Sequence, residues 1–163
     1  MIAEEFRVVA VVYVAVLAPL IIYFLNKHKI PDWVPSIYIV GVIGCSLGWE
    51  LWFTYGWIDG DPVDSRRSEV LNNWLPKNIN WLLNSMADAG TVLIGGVWLM
   101  WISHKKNSKV FTQWNWSAFC ILMIWCIGQN VLVEMFLYHD QLAEDKSLSC
   151  LLYTSPSPRD RIA

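Results

Sequence analysis

The chain has 163 residues, of which 55% are hydrophobic and only 16% charged, and its formal net charge is -2. This composition is too apolar for an ordinary soluble domain and indicates a multi-pass integral membrane protein surrounded by membrane lipids. The sequence has no basic tract and no phosphate-binding loop motif, so a nucleic-acid partner is not expected.

Four apolar runs predict transmembrane helices at about residues 8–25, 35–57, 80–102 and 115–138. At 1.5 Å per residue, each run is long enough to cross the bilayer core, about 30 Å thick. The first run could instead be a cleaved signal peptide, but its acidic start and the lack of a small-residue cleavage site favour a helix. The predicted fold class is therefore all-α, a polytopic membrane helical bundle.

The loop of residues 58–77 contains Asp59, Asp61 and Asp64, which could indicate a calcium site. The glycine and distal glutamate of an EF-hand are missing, so a solvated loop of mixed charge is favoured, and it could act as a lid. Basic residues are divided evenly between the two sides, so the positive-inside count ties. We expect the lysine-rich connectors, residues 26–34 and 103–114, to face the cytoplasm because the other side carries most of the acids.

Eleven tryptophans suit a membrane protein, since indole rings favour the boundary between hydrocarbon and headgroups. Seven lie near predicted span ends and are interpreted as interface anchors: Trp33, Trp57, Trp74, Trp81, Trp101, Trp114 and Trp116. The other four, Trp49, Trp52, Trp98 and Trp125, lie deeper.

Polar residues spaced four apart form a stripe along each of the last three predicted helices. The stripes contain Ser46, Glu50 and Thr54; Asn80, Asn84 and Asp88; and Asn130 and Glu134, with Gln129 beside them. Alternating helix direction brings the three stripes into one leaflet. They predict a polar pocket between helices, on the side of the 58–77 loop.

Glu50, Asp88 and Asn130 are expected within roughly 6 Å of the bilayer midplane. A carboxylate at that depth costs at least about 2.5 kcal/mol, and such residues commonly mark functional sites. Glu50 and Asp88 could share one proton and act as general acid and base. The alternative is that the polar groups only hold the helices together through interhelical hydrogen bonds.

No metal or cofactor is predicted. Cys45, Cys120 and Cys126 lie in apolar runs without a Cys-x-x-Cys pair, and they are interpreted as small packing residues. The histidines lie near span ends on both sides of the membrane. Gly44 and Gly48 form a Gly-x-x-x-Gly step, with Gly41 one turn earlier, and this pattern predicts the close approach of another helix.

Residues 150–160 resemble the translation of a transposase-type sequencing adapter. We therefore expect residues 1–149 to form a single transmembrane domain and residues 150–163 to be a non-native tail. On this interpretation the natural chain is cut short near Ser149, before a further helix.

Glu50 in the second helix, Asp88 in the third, and Gly128-Gln129 followed by Glu134 in the fourth resemble the emopamil-binding-protein (EXPERA) family. The resemblance covers roughly residues 36–140. It implies a bundle enclosing a cavity for sterol-like ligands, with Glu50 and Asp88 as an acid/base pair.

The resemblance also implies that Trp49, Trp52 or Trp125 stabilises a carbocation by cation-π contact. The chain departs from the family pattern at three points: Ser46 stands where a histidine is expected, Asp88 replaces a glutamate, and Glu134 follows Gln129 by five residues.

The resulting hypothesis is a pocket that binds a small lipophilic, sterol- or terpenoid-like molecule, with its isomerisation as an extension of the same hypothesis. The proposed acid/base pair is Glu50 and Asp88. The expected ligand-binding residues are Ser46, Trp49, Thr54, Asn84, Gln129, Asn130 and Glu134. A transporter or proton-relay subunit and a structural membrane subunit stay open as alternatives, and a second copy of the chain is a further expected partner.

Overall fold

The computed structural model describes residues 3–56 and 61–133. Within these ranges every regular element is helical, which confirms the predicted all-α class. Three helices are long and apolar enough to cross a membrane, and a fourth span results if one bent pair of helices is counted together. The described part of the chain is thus all-helical, with three to four candidate membrane spans.

The first span is the continuous helix α1, Ala3–Asn26, whose sequence is apolar from Val8 to Leu25. Pro19 lies inside the helix and packs against Gly90 of the third span. At the end of this helix the Asn26 side chain donates to the carbonyl of Ile22 over 2.9 Å.

The second predicted helix is broken rather than continuous. Helix α2, Trp33–Leu47, and helix α3, Trp49–Tyr55, meet at Gly48 with a bend of 42°. A Cβ at position 48 would lie only 2.8 Å from the carbonyl oxygen of Gly44, so the absence of a side chain permits the break. The prediction of one uninterrupted helix over residues 35–57 is wrong in this respect.

Two short helices form the loop that follows: α4, Val63–Arg66, and α5, Glu69–Trp74. Leu71 and Leu75 pack into a buried cluster with Val8, Val9 and Val12 of α1. The prediction of a solvated loop is wrong for this part, because Leu71 and Leu75 hold it against the first half of α1, whereas Asp61 and Glu69 are exposed as predicted.

The third span runs through Lys77–Ser103 and contains α6, Lys77–Ala87, then a π-helical segment, Asp88–Ile94, and then α7, Gly95–Ser103. Helices with this wider hydrogen-bonding pattern are rare and often occur at functional sites. The span lies at the centre of the fold. Helices α1, α2 and α3 pack on its first part, and α8 packs on α7 and the π-helical segment.

The last described helix is α8, Trp116–Val133, which follows a short 3-10 helix, Ser108–Phe111. The predicted end of this span, near residue 138, lies outside the described residues. Much of α8 is exposed, as expected for a helix that faces lipid on one side.

Of the three glycines predicted to allow close helix packing, Gly41 does so, whereas Gly44 and Gly48 do not meet another span. A Cβ at Gly41 would approach Leu93 Cδ2 to 2.6 Å and Ala89 Cβ to 3.2 Å, whereas one at Gly44 would meet nothing within 4 Å. Gly41 therefore lets α2 approach the π-helical segment, and Gly44 lies on an exposed face.

Candidate functional site

Glu50 lies in the first turn of α3, directly after the break at Gly48, and is only 3% exposed. The hydroxyl of Thr54, itself fully buried, donates to Oε2 of Glu50 over 3.1 Å. The Asn84 side chain approaches the same carboxyl group from the third span. The break thus turns an acid into the bundle, where two polar neighbours hold it.

Asp88 is the first residue of the π-helical segment and is half-buried. One turn later, the Thr91 hydroxyl donates back to the carbonyl of Ala87 over 2.7 Å. Both carboxyl groups, Glu50 and Asp88, therefore lie at irregular points of their helices, and both face the same cavity.

This cavity, called the acid cavity below, has a volume of about 110 Å³ and is bounded by α1, α3, the third span and α8. Helix α1 contributes an apolar wall that sequence reasoning did not include. The lining residues are Val11, Val12, Ala15, Trp49, Glu50, Phe53, Asn84, Ala87, Asp88, Thr91, Gln129, Asn130 and Val133.

Gln129 and Asn130 bring α8 to the cavity. The Gln129 amide nitrogen donates to the Thr91 hydroxyl over 3.3 Å, while its Oε1 is buried without a hydrogen-bond partner in the described part of the chain. Asn130 also lines the cavity, but its amide donates to the carbonyl of Cys126 in its own helix. Gln129 therefore places an unpaired, buried acceptor beside the cavity.

The remaining predicted site residues occupy different places. Trp49 lines the cavity at its edge, 45% exposed, with its ring centroid 5.1 Å from that of Trp52. The Ser46 hydroxyl donates to the carbonyl of Ile43 and does not line the cavity. Thr54 contacts Glu50 but does not line the cavity, and Glu134 lies outside the described residues.

Two tryptophans have roles at the irregular helix points that sequence reasoning missed. The Trp125 indole donates to the carbonyls of Thr91 and Val92 over 3.0 and 3.1 Å, within the π-helical segment. The Trp81 indole donates over 2.8 Å to the carbonyl of Ser46, just before the break at Gly48. Both indoles bind backbone carbonyls beside the helix irregularities. One signal for this is present in the sequence, which is the position of Trp125 deep within its predicted span.

A line of polar side chains connects the loop helices to the acid cavity. Arg67, only 7% exposed, donates to Asn80 Oδ1 over 3.0 Å and to the carbonyl of Leu75 over 2.9 Å. Asn84 and Asp88 follow Asn80 at intervals of four residues along the third span. We call Arg67, Asn80, Asn84 and Asp88 the polar column.

Beyond Asp88, towards the lysine connectors, α1 packs tightly on the third span through apolar residues, while Thr91 on another side of the span still lines the acid cavity. Val16 is 4% exposed and Ala89 is fully buried. A Cβ at Gly90 would lie 3.1 Å from Pro19 Cγ, so α1 and the third span touch directly there. These four residues form an apolar seal, and the polar column ends at it.

Comparisons of the chain with known protein families, with curated proteins and with solved structures give no match. In residues 3–56 and 61–133, no three His, Cys, Asp or Glu side chains cluster as metal ligands would. The fold and the site together describe a helical protein with candidate membrane spans and a carboxyl-lined cavity among them.

Proposed function

We propose that the acid cavity binds a small lipophilic molecule and isomerises it by moving a proton between Glu50 and Asp88. The observation that carries the proposal is the position of these two acids. Glu50, almost completely buried, and Asp88 line one cavity inside an apolar bundle, each at a point where its helix is irregular. Acids at such positions are costly and are more often functional than structural.

The proposed reaction is a shift of a carbon-carbon double bond. The acid that holds the proton adds it to one carbon of the double bond, which leaves positive charge on the other carbon. The second carboxylate then removes a proton from the carbon next to that charge, and the double bond forms again one position along. No oxidant or reductant is needed, and proton exchange between the two carboxyl groups resets the pair.

The neighbouring groups suit these steps. Thr54 and Asn84 orient Glu50, and the exposed face of Trp49 at the cavity edge could stabilise a cation. Gln129 Oε1, buried without a partner in the described ranges, could accept a hydrogen bond from a ligand hydroxyl. These assignments rest on the proposed reaction and agree with the resemblance to the emopamil-binding-protein family.

The cavity volume limits how the ligand is held. About 110 Å³ is well below the roughly 300–1,000 Å³ of common ligand pockets. We therefore infer that only the reacting end of the molecule enters, while the remainder extends between α1 and α8, which both line the cavity.

The polar column favours this function over transport. It connects the acid cavity with the loop helices but ends at the apolar seal, so it supplies protons or water from one side only. A transporter or a transmembrane proton relay needs access from both sides. A purely structural role leaves two carboxyl groups in one cavity without a purpose.

The proposal is tested by thermal unfolding of the purified chain with sterols, terpenoids and quinones. At least one compound should raise the melting temperature of the wild type, and Glu50→Gln and Asp88→Asn should each remove that increase. Asp64→Asn, which changes an acid outside the cavity, is the matched control and should retain it. The absence of stabilisation by all three classes would contradict ligand binding.

Isomerisation is tested separately with a stabilising compound that contains a double bond. Incubation in deuterated water should move the double bond and incorporate deuterium, and both cavity variants should abolish this. Binding without deuterium incorporation would limit the function to ligand binding.

A further inference from the structure

The two lysine connectors, residues 26–34 and 103–114, lie together at one end of the bundle. The ring of Trp33, at the start of α2, packs on Trp101 and Phe111, with ring centroids 6.2 and 5.2 Å apart. The connectors contain five lysines and a single acid, Asp32, although the whole chain has a net charge of -2. Positive charge is therefore concentrated at this end of the protein.

A surface hollow of about 390 Å³, called the connector hollow below, lies between the end of α7 and the start of α8. Lys105 and Lys109 both line it, together with Gln113 and Asn115. Both lysines are exposed, and neither forms an ion pair with another described residue. An anion in the hollow can therefore reach their ammonium groups.

The backbone beside the hollow is in a conformation that usually requires glycine. Lys105 and Lys106 have φ values of 54° and 60°, in the left-handed region. The Nζ atom of Lys106 lies 5.9 Å from the ring centroid of Trp101, and this residue does not line the hollow. Lys105 thus supplies a charge to the hollow from a position that glycine would occupy with less strain.

A second hollow, of about 310 Å³, adjoins the first and is called the adjoining hollow. The two share four lining residues, among them Val110 and Trp114. Away from the shared residues, the adjoining hollow is lined mostly by apolar side chains of the spans, including Met100 of α7 and Leu122 of α8. Leu122 lies six residues inside α8, which is about 9 Å along the helix. The two hollows therefore connect a basic surface with an apolar one.

Two exposed tryptophans indicate the depth of the hollows in a membrane. Trp114 and Trp116 are each 68% exposed, and their ring centroids are 5.1 Å apart. Exposed indoles favour the boundary between headgroups and hydrocarbon. This depth places the connector hollow at the level of the headgroups and the adjoining hollow at the level of the acyl chains.

We propose that the connector hollow binds the phosphate group of an anionic phospholipid through Lys105 and Lys109, and that the adjoining hollow holds part of one acyl chain. Basic pockets beside membrane spans are suited to anionic headgroups. The apolar adjoining hollow favours a lipid over a free phosphate ion, which would leave it unfilled. The site lies at the opposite end of the bundle from the loop helices and does not depend on the function proposed for the acid cavity.

The test measures the melting temperature of the full chain in neutral detergent with added dioleoyl phosphatidylglycerol or dioleoyl phosphatidylcholine. The two lipids have the same acyl chains, but only the first has a net negative charge. Phosphatidylglycerol should raise the melting temperature of the wild type by several degrees more than phosphatidylcholine does. The double variant Lys105→Gln/Lys109→Gln should abolish this difference and should melt like the wild type in phosphatidylcholine.

Lys27→Gln/Lys29→Gln is the matched control, since it removes the same charge from the same end and neither lysine lines the hollow. It should keep most of the difference between the lipids. Lys105→Gly removes one charge and relieves the left-handed backbone, so it should lose part of the difference without melting lower than the wild type in phosphatidylcholine.

Four results would overturn the proposal. Equal stabilisation of the wild type by both lipids would show that charge is not recognised, and equal loss in the two double variants would show only diffuse attraction to basic residues. Retention of the difference in Lys105→Gln/Lys109→Gln would leave these lysines only the role of complementing the helix dipole at the end of α7. Stabilisation by glycerol 3-phosphate equal to that by phosphatidylglycerol would assign the hollow to a soluble phosphate instead.

Discussion

The contact between Thr54 and Glu50 shows how a single hydroxyl can fix a buried acid. Thr54 is fully buried, and its only hydrogen bond shown by the described residues runs to the carboxyl oxygen four positions earlier. Donor and acceptor belong to the same short helix, so this bond does not depend on another span, and Asn84 of the third span adds a second contact to the same carboxyl group.

Thr54→Val should therefore lower stability by about 1 kcal/mol, the usual net value of one hydrogen bond, although the side chain keeps its shape. Thr54→Ser should restore most of the loss. Chemical denaturation of the chain in detergent measures both. Equal stability of the wild type and Thr54→Val would show that this hydrogen bond does not hold Glu50.

Outside the candidate spans, Asp64 pairs with Lys77 over 2.8 Å and links α4 to the start of α6. The lysine holds the pKa of Asp64 below its usual value. A carboxyl group with a lowered pKa in the folded state contributes stability above its unfolded pKa, about 3.9, and this contribution is lost as the pH falls through the folded pKa.

Acidification from pH 6 to pH 3 should therefore remove the stabilisation by this pair from the wild type. Asp64→Asn lacks the pair, so its free energy of unfolding should fall less over the same pH range. Both side chains are about one-third exposed, so solvent screening keeps the effect below about 1 kcal/mol. The difference should shrink further in 1 M salt. An identical pH dependence in the variant and the wild type would contradict a stabilising role.

At the scale of elements, two irregular helices shape the acid cavity. The break at Gly48 gives α3 a new direction, and the π-helical segment begins at Asp88. Each is supported by a tryptophan of a neighbouring span that donates to a nearby backbone carbonyl. The acids thus occupy positions that a pair of regular helices would not provide.

Trp125→Phe should loosen the π-helical segment, because it removes the indole N–H that donates to two carbonyls there but keeps an aromatic ring. Amide hydrogen exchange at residues 91–97 should become faster. Trp101→Phe is the matched control, since the Trp101 indole nitrogen has no hydrogen-bond partner in the described ranges. Unchanged exchange rates in Trp125→Phe would show that these hydrogen bonds do not stabilise the π-helical segment.

The contrast between Gly41 and Gly44 tests how α2 packs on the third span. Gly41→Val should destabilise the protein by about 1–3 kcal/mol, because added methyl groups would overlap with Leu93 and Ala89. Gly44→Ala, on the open face, should be neutral or slightly stabilising, since alanine favours helix over glycine. Thermal unfolding of both variants measures the difference, and equal stabilities would contradict the packing.

For the molecule as a whole, the apolar seal divides the interior into two unlike halves. The half near the loop helices contains the polar column and the acid cavity, and the half near the lysine connectors contains an almost entirely apolar cavity of about 180 Å³ between α1, α2 and the π-helical segment. A one-sided polar interior fits chemistry on a ligand from the bilayer better than passage across it.

This division predicts one-sided access for a water-soluble thiol reagent that does not cross membranes. In vesicles of a variant without its natural cysteines, Asn84→Cys should react when the reagent is on the side of the loop helices. It should not react when the reagent is on the side of the lysine connectors, because the seal intervenes. Labelling of Asn84→Cys from both sides would instead favour the transport alternative.

The sequence by itself determined the helical class, the approximate spans and the identity of the polar stripes. Apolar length and four-residue spacing are local properties, so they can be read from residues such as Glu50 and Asn84 without knowledge of the fold. The same pattern also predicted that Glu50 and Asp88 lie in one leaflet, and both acids line one cavity.

Only the tertiary structure decided how the helices deviate from regularity and what surrounds the acids. The break at Gly48 and the π-helical segment depend on contacts with Trp81 and Trp125, which come from distant parts of the chain. The packing of the loop helices on α1 and the α1 residues that line the acid cavity likewise depend on contacts between separate elements. Spacing along one helix cannot encode such contacts, because they arise only when several spans come together.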